Sequence, residues 1–400
     1  YTTPTGYRCA YVWSLPDEEP VLGTDELNLD SLEPGDRDRT ALREITAFWM
    51  ADQIGLPFSH QRFVHVVLNG VSNASRGIPI YTDSQQPDSN YLRSWFTENP
   101  DGEMFKTDDW FEFDDSIEHE FNVGATLERF TTTGGGKKKA RYRWNWEKKA
   151  NRGLDDDYTS LLSLVDALNA PEPHYVAALE SLAEVEEWAA VFALRHAVGD
   201  WDGYGYLSGK NQFTYKPRDG RWSLLLWDLD FSLGCKDGHL PTQGIFQSHD
   251  PMIGRFYAHP HFGRFYLQAI HRIVHGPFLE DRSTPFIAAK YASLTTNQVT
   301  GTTSPFVPSG PQNRSIPGWI VERRTYLLRV LAGLDAPFAI TSQQGNDFST
   351  GTNLITLEGT APIEIRSIKV NGVTHPIVWT SPTTWSVRIV LPGTSHPLLL

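Results

Sequence analysis

Cysteine and long apolar segments are scarce in this chain of 400 residues. The two cysteines, Cys9 and Cys235, are too few for a disulfide-stabilised scaffold and have no metal-ligand spacing. Cys235 follows a glycine in an apolar stretch, which favours a buried thiol; one long-range disulfide is the alternative. No apolar run reaches the roughly 18 residues of a membrane-spanning helix, so no membrane span is predicted.

Positive charge is also in short supply. The chain has 35 Lys and Arg against 48 Asp and Glu, a net charge of −13. Such a chain repels phosphate backbones and anionic lipid, which excludes general nucleic-acid binding. Because the chain starts at Tyr1 without a signal-peptide pattern, we expect a processed, trimmed or partial chain.

One stretch, residues 137–152, is strongly basic. The Gly-rich residues before it lack the spacing of a phosphate-binding P-loop, so a flexible basic loop is the favoured interpretation. The alternative is an electropositive lip that attracts a nucleotide or an acidic protein. The alternation of cations and aromatic residues over 141–146 is typical of a strand.

The periodicity of apolar residues predicts an α+β fold. Helical spacing occurs over residues 40–54, 155–169, 173–199 (with one break), 259–278, 284–294 and 317–334. Alternation typical of strands occurs over residues 62–70, 76–83, 104–113, 211–215 and 221–229. Asn69-Gly70 predicts a hairpin turn.

A composition change at residue 335 predicts a second unit. Residues 338–400 have no helix signal and alternate between turns, as in an immunoglobulin-like β-sandwich. This segment is shorter than the roughly 100 residues of a complete sandwich. We therefore expect the sandwich to be truncated at residue 400, with further domains of the same polypeptide beyond it.

Two acidic pairs flank the predicted hairpin of residues 211–229. Asp200 and Asp202 precede it, Asn211 begins it, and Asp228 and Asp230 follow it. Because a hairpin returns the chain to its start, both pairs are expected at one end of the sheet. Carboxylate and amide oxygens are ligands that Mg²⁺ prefers. The same order of Asp, Asn and Asp occurs in kinase catalytic centres, although Asp-Gly is by itself a turn signal.

A weaker metal candidate lies nearby. His249, His259 and His261 surround Asp250 in the sequence and suggest zinc, but they have no firm ligand spacing.

The segment GDWD…N…GRW…WDLDFSLG (residues 199–234) resembles the signature of the CotH (spore coat protein H) kinase family of atypical protein kinases. Upstream, ALREITAFWMADQIGLPFSHQRFVHVVLNG and GEMFKTDDWFEF look like the helix, hairpin and lysine strand of that family. The resemblance covers about residues 36–335. It implies a two-lobed kinase-like domain over 1–335, with an N-lobe to about residue 150 and a helical C-lobe over 151–335.

The resemblance also implies roles for individual residues. Lys106 corresponds to the lysine that contacts nucleotide phosphates, and Asp83 replaces the Glu that would pair with it. Asp200 or Asp202 faces the acceptor hydroxyl. The metal ligands that it implies are Asn211, Asp228 and Asp230, which would also hold the nucleotide through its metal.

The function implied is transfer of the ATP γ-phosphoryl group to Ser or Thr of a protein, with Mg²⁺ as cofactor. The resemblance and the appended module imply a secreted or cell-surface bacterial protein. The loop from Asp202 to Asn211 is longer than the family usually has, and Asp83 is shorter than Glu. The alternative is therefore a catalytically weak or inactive structural module of an extracellular protein. Carbohydrate binding through exposed Trp and Tyr is a third hypothesis.

Overall fold

Long helices and small antiparallel sheets alternate along the chain, as an α+β fold requires. The computed structural model describes residues 10–16, 18–19, 21, 24–31, 38–76, 79–109, 124–143, 145–149, 156–235, 238–310, 312–391 and 398. The helices are α1 Arg43–Gln53, α2 Ser89–Trp95, α3 Ala140–Arg143, α4 Thr159–Leu168, α5 Tyr175–Leu182, α6 Val185–Val198, α7 Pro251–Ala258, α8 Pro260–Val274, α9 Glu280–Thr296 and α10 Ile316–Leu334.

The strands form three four-stranded sheets and two hairpins. They are β1 Tyr11–Ser14, β2 Glu26–Ser31, β3 Gln61–Val64, β4 Val67–Leu68, β5 Val71–Ser72, β6 Tyr81–Ser84, β7 Gly102–Thr107, β8 Trp146–Lys148, β9 Gln212–Pro217, β10 Ser223–Leu226, β11 Ala339–Ile340, β12 Leu354–Thr360, β13 Lys369–Val370, β14 Val373–Thr374, β15 Ile377–Trp379 and β16 Thr384–Val390. The sheet orders are β1-β2-β6-β3, β10-β9-β7-β8 and β11-β12-β16-β15, with β4-β5 and β13-β14 as the hairpins.

Helix α6 lies at the centre of the largest hydrophobic core. From Trp188 to Val198 every residue of this helix is buried, and most of them are apolar, as in a helix enclosed by the core. It ends at Gly199, whose φ of 77° is the left-handed conformation that glycine adopts at helix ends. The site loop therefore starts from a rigid, buried element.

The sheet β10-β9-β7-β8 positions the predicted site. Strands β9 and β10 form the predicted hairpin, with Gln212 opposite Leu226, and β7 pairs with the other edge of β9. In that second pairing Lys106 lies opposite Phe213. The sheet joins strands from both sides of residue 150, where the sequence places the lobe boundary.

Several predicted elements differ in detail. Asn69-Gly70 makes the predicted hairpin turn, with φ of 52° and 77°, but it joins the short strands β4 and β5. The strand predicted over 62–70 is thus interrupted, and its first part, β3, pairs with β6. Residues 110–113 of another predicted strand lie outside the described residues.

Two further expectations are corrected. The alternating segment 141–146 was predicted as a strand, but it contains the short helix α3 before β8 begins at Trp146. Helix α7 was not predicted, although Asp250 caps its first turn and Pro251 occupies the first helical position.

The C-terminal segment is all β except for a short 3₁₀ turn at Ser342–Gly345. Alternate residues of β12 and β16 are buried and form a separate apolar cluster around Trp385. Cys235 is buried as predicted, and Cys9 lies outside the described residues. Among the helices described, none is long and apolar enough to cross a membrane.

Candidate functional site

Asn211 and Asp228 lie at the same end of the β9–β10 hairpin. Asn211 precedes β9 directly, and Asp228 follows β10 by one residue, Trp227. Both have a left-handed backbone, with φ of 57° and 54°. This conformation costs roughly 1–2 kcal/mol for residues with a side chain, although Asn and Asp tolerate it best. Backbone strain at two neighbouring polar residues is typical of a functional site.

Asp202 lies beside Asn211. The Asn211 amide Nδ2 donates to Asp202 Oδ2 at 3.2 Å and to the Asp202 carbonyl at 3.1 Å. The Lys210 ammonium is 3.4 Å from Asp202 Oδ2, and the Asp202 side chain is 11 % exposed. Burial raises the pKa of Asp202, and Lys210 opposes the rise. Its carboxylate is therefore oriented by two neighbours, and its side chain keeps a small exposed fraction.

Asp200 has a different environment. It is fully buried, and its Oδ2 forms an ion pair with the equally buried Arg195 of α6. Burial raises the pKa of Asp200 to about 7 against the opposing effect of Arg195, and the charges of Asp228 and Asp202 contribute to the rise. Asp200 Oδ1 accepts no hydrogen bond within the described part of the chain.

Arg195 connects three segments of the site, and sequence reasoning missed it. Besides Asp200, its guanidinium donates to the carbonyl of Asn211 and, at 3.0 Å, to the carbonyl of Trp227. A single buried cation thus holds the start of the loop and both ends of the hairpin. In the sequence it is only a basic residue in the last turn of a largely apolar helix. A favourable interaction with the helix dipole is enough to explain a basic residue there.

Several charged groups act on Asp228. Burial raises the pKa of Asp228, the nearby Asp202 raises it further, and Arg195, Lys210 and Lys106 lower it. Lys106 Nζ is also 3.7 Å from Asp108 Oδ2, just after β7. The structure therefore places Asp200, Asp202, Asn211 and Asp228 at one end of the hairpin, with Lys106 within electrostatic range of Asp228.

Helix α1 supports the loop that follows Asp228. Glu44 Oε1 accepts the backbone N–H of Leu229 at 3.2 Å, and Arg43 Nε donates to the Leu233 carbonyl at 3.2 Å. Burial and the neighbouring Asp228 raise the pKa of Glu44 to about 8. Neither residue was a predicted site residue, because a charged pair in the first turn of a helix has many ordinary explanations.

Asp83 does not join this group. It lies on β6, in a different sheet from Lys106, and its Oδ2 pairs with Arg62 Nη2 at 2.6 Å. Arg62 is its direct neighbour across the β3–β6 pair, so the ion pair follows from strand register. Asp230 lies in the turn two residues after Asp228 and is partly buried.

The oxygen donors suit a hard divalent cation. Asp228 and Asp202 supply carboxylates, and Asn211 keeps its amide oxygen available because its nitrogen faces Asp202. The unpartnered buried oxygen of Asp200 adds negative potential. No cluster of three His, Cys, Asp or Glu close enough to hold a metal occurs among the described residues. These residues therefore fit Mg²⁺ only if water and phosphate oxygens complete its coordination, which is how Mg²⁺ is usually bound.

The histidines near Asp250 do not form a zinc site. His249 Nε2 contacts the Ala125 carbonyl at 2.8 Å, and His261 pairs with Glu180. His259 caps α8. Asp250 itself accepts hydrogen bonds from Leu127 N, Met252 N and the Tyr204 hydroxyl. These groups support packing around the site loop.

The basic stretch is largely neutralised by neighbouring acids. Lys137 pairs with Asp166, while Lys139 and Arg143 pair with Asp156. These ion pairs argue against an electropositive lip.

One comparison with known protein families gives a match over most of the chain. A family model described as CotH kinase protein matches residues 13–305, which include all the residues brought together at the hairpin end. No curated protein matches the chain.

Proposed function

Because the chain belongs to the CotH kinase protein family, we propose that it transfers the γ-phosphoryl group of ATP to a Ser or Thr hydroxyl of a secreted or surface protein. The observation that carries this proposal is the hydrogen-bonded pair of Asp202 and Asn211 beside Asp228, within electrostatic reach of Lys106. An acceptor-facing Asp, a metal-binding Asn and Asp, and a phosphate-binding Lys are the parts that phosphoryl transfer needs.

Asp202 is assigned to the acceptor hydroxyl and Asp200 to support. Asp202 keeps 11 % of its side chain exposed, whereas Asp200 is fully buried against Arg195. As the acceptor oxygen attacks the γ-phosphorus, the bond from that phosphorus to the β–γ bridging oxygen breaks and ADP leaves. The hydroxyl proton passes to the Asp202 carboxylate.

Asn211 and Asp228 would hold Mg²⁺, whose charge neutralises the phosphate oxygens during transfer. Their left-handed backbones aim both side chains from one end of the hairpin. Arg195 holds the adjoining carbonyls, so this geometry exists before the substrates bind.

The first test measures binding. Millimolar Mg·ATP should raise the melting temperature of the wild type, because a ligand that binds the folded state stabilises it. Asp228→Ala should abolish that shift, whereas the exposed Asp281→Ala of α9 should keep it. A wild type without a shift would refute nucleotide binding. Radiolabel transfer from γ-labelled ATP to a Ser-rich protein then tests catalysis.

A second candidate function is a catalytically inactive module with a kinase fold. The pairing of Asp83 with Arg62 favours it, because Lys106 then lacks the predicted acidic partner and pairs only weakly with Asp108, which follows it on the same segment. A Mg·ATP-dependent thermal shift without any phosphate transfer would support this candidate.

A further inference from the structure

Lys210 is a cation of the site that the sequence did not single out. Its Nζ lies 3.4 Å from Asp202 Oδ2 and 3.9 Å from Asp109 Oδ2. The charge of Asp228 acts on the same ammonium group. Its side chain is 31 % exposed, so the group reaches the opening of the site as well as its acids.

The backbone at Lys210 is fixed. Its carbonyl accepts the N–H of Tyr204 at 2.7 Å, which closes the loop after Asp202 on itself. On one side, the Gly209 carbonyl accepts the Ala125 N–H at 2.9 Å, and a Cβ at Gly209 would lie 2.3 Å from Gly124. On the other side Asn211 begins the hairpin. The position of the ammonium therefore follows from a packed loop.

The acids of the site outnumber its cations. Asp109 and Asp202 lie within 4 Å of the Lys210 ammonium and Asp228 acts on it electrostatically, and these carboxylates repel one another when no substrate is present. A divalent cation at Asp228 and Asn211 brings two positive charges to the same acids, so Lys210 is then free to attract a phosphate oxygen. A lysine ammonium is compact and flexible enough to exchange one oxygen partner for another.

We propose that Lys210 is the internal counter-ion of the site, which neutralises Asp202 and Asp109 before binding and contacts the terminal phosphate of ATP during transfer. This inference rests on the proposed function, and it adds a second phosphate-binding lysine to Lys106.

The proposal predicts two effects of opposite sign for Lys210→Met. Without the ammonium, Mg²⁺ alone should stabilise the protein at a concentration lower by roughly fivefold, because the carboxylates lose a competing cation. The same variant should lose about a hundredfold in kcat for phosphoryl transfer, because a charge that stabilises the transition state is removed. Thermal melting over a Mg²⁺ titration and steady-state kinetics measure the two effects.

Three comparisons make the outcome decisive. Lys210→Arg keeps the charge and should restore most of kcat, and Lys290→Met on α9 should behave as wild type in both assays. If Lys210→Met does not fold, Lys210→Gln provides the same test with a polar side chain. An unchanged or higher Mg²⁺ midpoint would overturn the counter-ion role, even where the wild type binds Mg·ATP. A wild type that responds to neither Mg²⁺ nor Mg·ATP would overturn this inference together with the proposed function.

Discussion

Asp200 and Asp202 are separated by one residue, yet their surroundings differ. The loop turns one carboxylate into the protein against Arg195 and the other toward Asn211 and Lys210. The sequence left their roles open, since both are acids within an aromatic segment. Only the direction of each side chain separates them, and that direction depends on how the loop packs against α6.

The first prediction separates the two acids by stability and activity. Asp200→Asn should destabilise the protein by about 3–5 kcal/mol, because it leaves the buried Arg195 charge without its partner. Asp202→Asn keeps an oxygen that accepts from Asn211 Nδ2, so it should change the free energy of unfolding by only about 1 kcal/mol and abolish phosphoryl transfer. Chemical denaturation and a transfer assay measure both. Equal stability of the two variants would contradict the assignment.

Glu187 gives a prediction about pH that does not involve the site. Its Oε1 accepts the Leu224 N–H at 2.9 Å, and burial raises its pKa from 4.5 to about 8. The folded protein therefore holds more protons than the unfolded chain between these values, and stability decreases as pH rises through that window. Glu187→Gln keeps an acceptor oxygen but has no titrating carboxyl. The free energy of unfolding of this variant should therefore fall less between pH 5 and pH 8 than that of the wild type.

The size of this effect is limited to about 1.4 kcal/mol per pH unit for one group. The exposed neighbour Glu186→Gln serves as the control and should follow the wild type. A variant at Glu187 that loses as much stability as the wild type over the same pH range would show that Glu187 does not hold its proton in the fold.

At the scale of elements, α1 clamps the loop after Asp228, because it forms hydrogen bonds near both the start and the end of that loop. Glu44 accepts the Leu229 N–H, and Arg43 donates to the Leu233 carbonyl. Asp38 in turn accepts the N–H of Arg43 at 2.8 Å and pairs with its guanidinium. The start of α1 and the loop after Asp228 are therefore fixed by one set of contacts, which joins Glu44 and Leu229 across 185 residues of the chain.

The third prediction tests this clamp. Glu44→Ala should weaken Mg·ATP binding by about tenfold, because the loop after Asp228 loses one of its two anchors, whereas Glu44→Gln keeps an acceptor oxygen and should bind nearly as the wild type does. Isothermal titration with Mg·ATP measures the difference. Equal affinity of Glu44→Ala and wild type would mean that the loop keeps its position without α1.

The elements that could be predicted are those with a local signal. The β9–β10 hairpin followed from two apolar runs around a turn, and so did the meeting of Asn211 with Asp228 at one end. The contacts by which Arg195 and Glu44 fix the site could not be predicted, because they go to backbone groups: the carbonyls of Asn211 and Trp227, and the Leu229 N–H. Any backbone N–H or carbonyl has the same chemistry, so the sequence does not reveal which one a buried charge will reach.

At the scale of the whole molecule, the C-terminal β segment is attached to the helices by a buried arginine. Arg264 of α8 is 2 % exposed, donates to the Pro362 carbonyl at 2.6 Å and to the carbonyls of Ile365 and Pro382, and stacks on the Trp379 ring at 3.7 Å. Burial lowers its pKa to about 10, so it stays charged at neutral pH.

Two packed helices, α8 and α6, connect the C-terminal β segment to the candidate site. Gln268, one turn further along α8, donates to the Ile363 carbonyl at 2.8 Å, and Ile363 belongs to the main hydrophobic core. Helix α8 packs along α6, which carries Arg195 and ends at the site loop. The β segment is therefore expected to unfold together with the helical part.

The last prediction concerns this joint unfolding. Arg264→Ala leaves three carbonyls without their donor and removes the stacking on Trp379, which should cost about 3–5 kcal/mol. Differential scanning calorimetry should then resolve a separate, earlier transition for the β segment, and proteolysis should reach the chain between α10 and β11. Arg264→Lys should lie between the two, since an ammonium cannot satisfy three carbonyls with the planar geometry of a guanidinium. The exposed Arg282→Ala on α9 is the matched control. A single unshifted transition in Arg264→Ala would show that apolar contacts alone hold the β segment against α8.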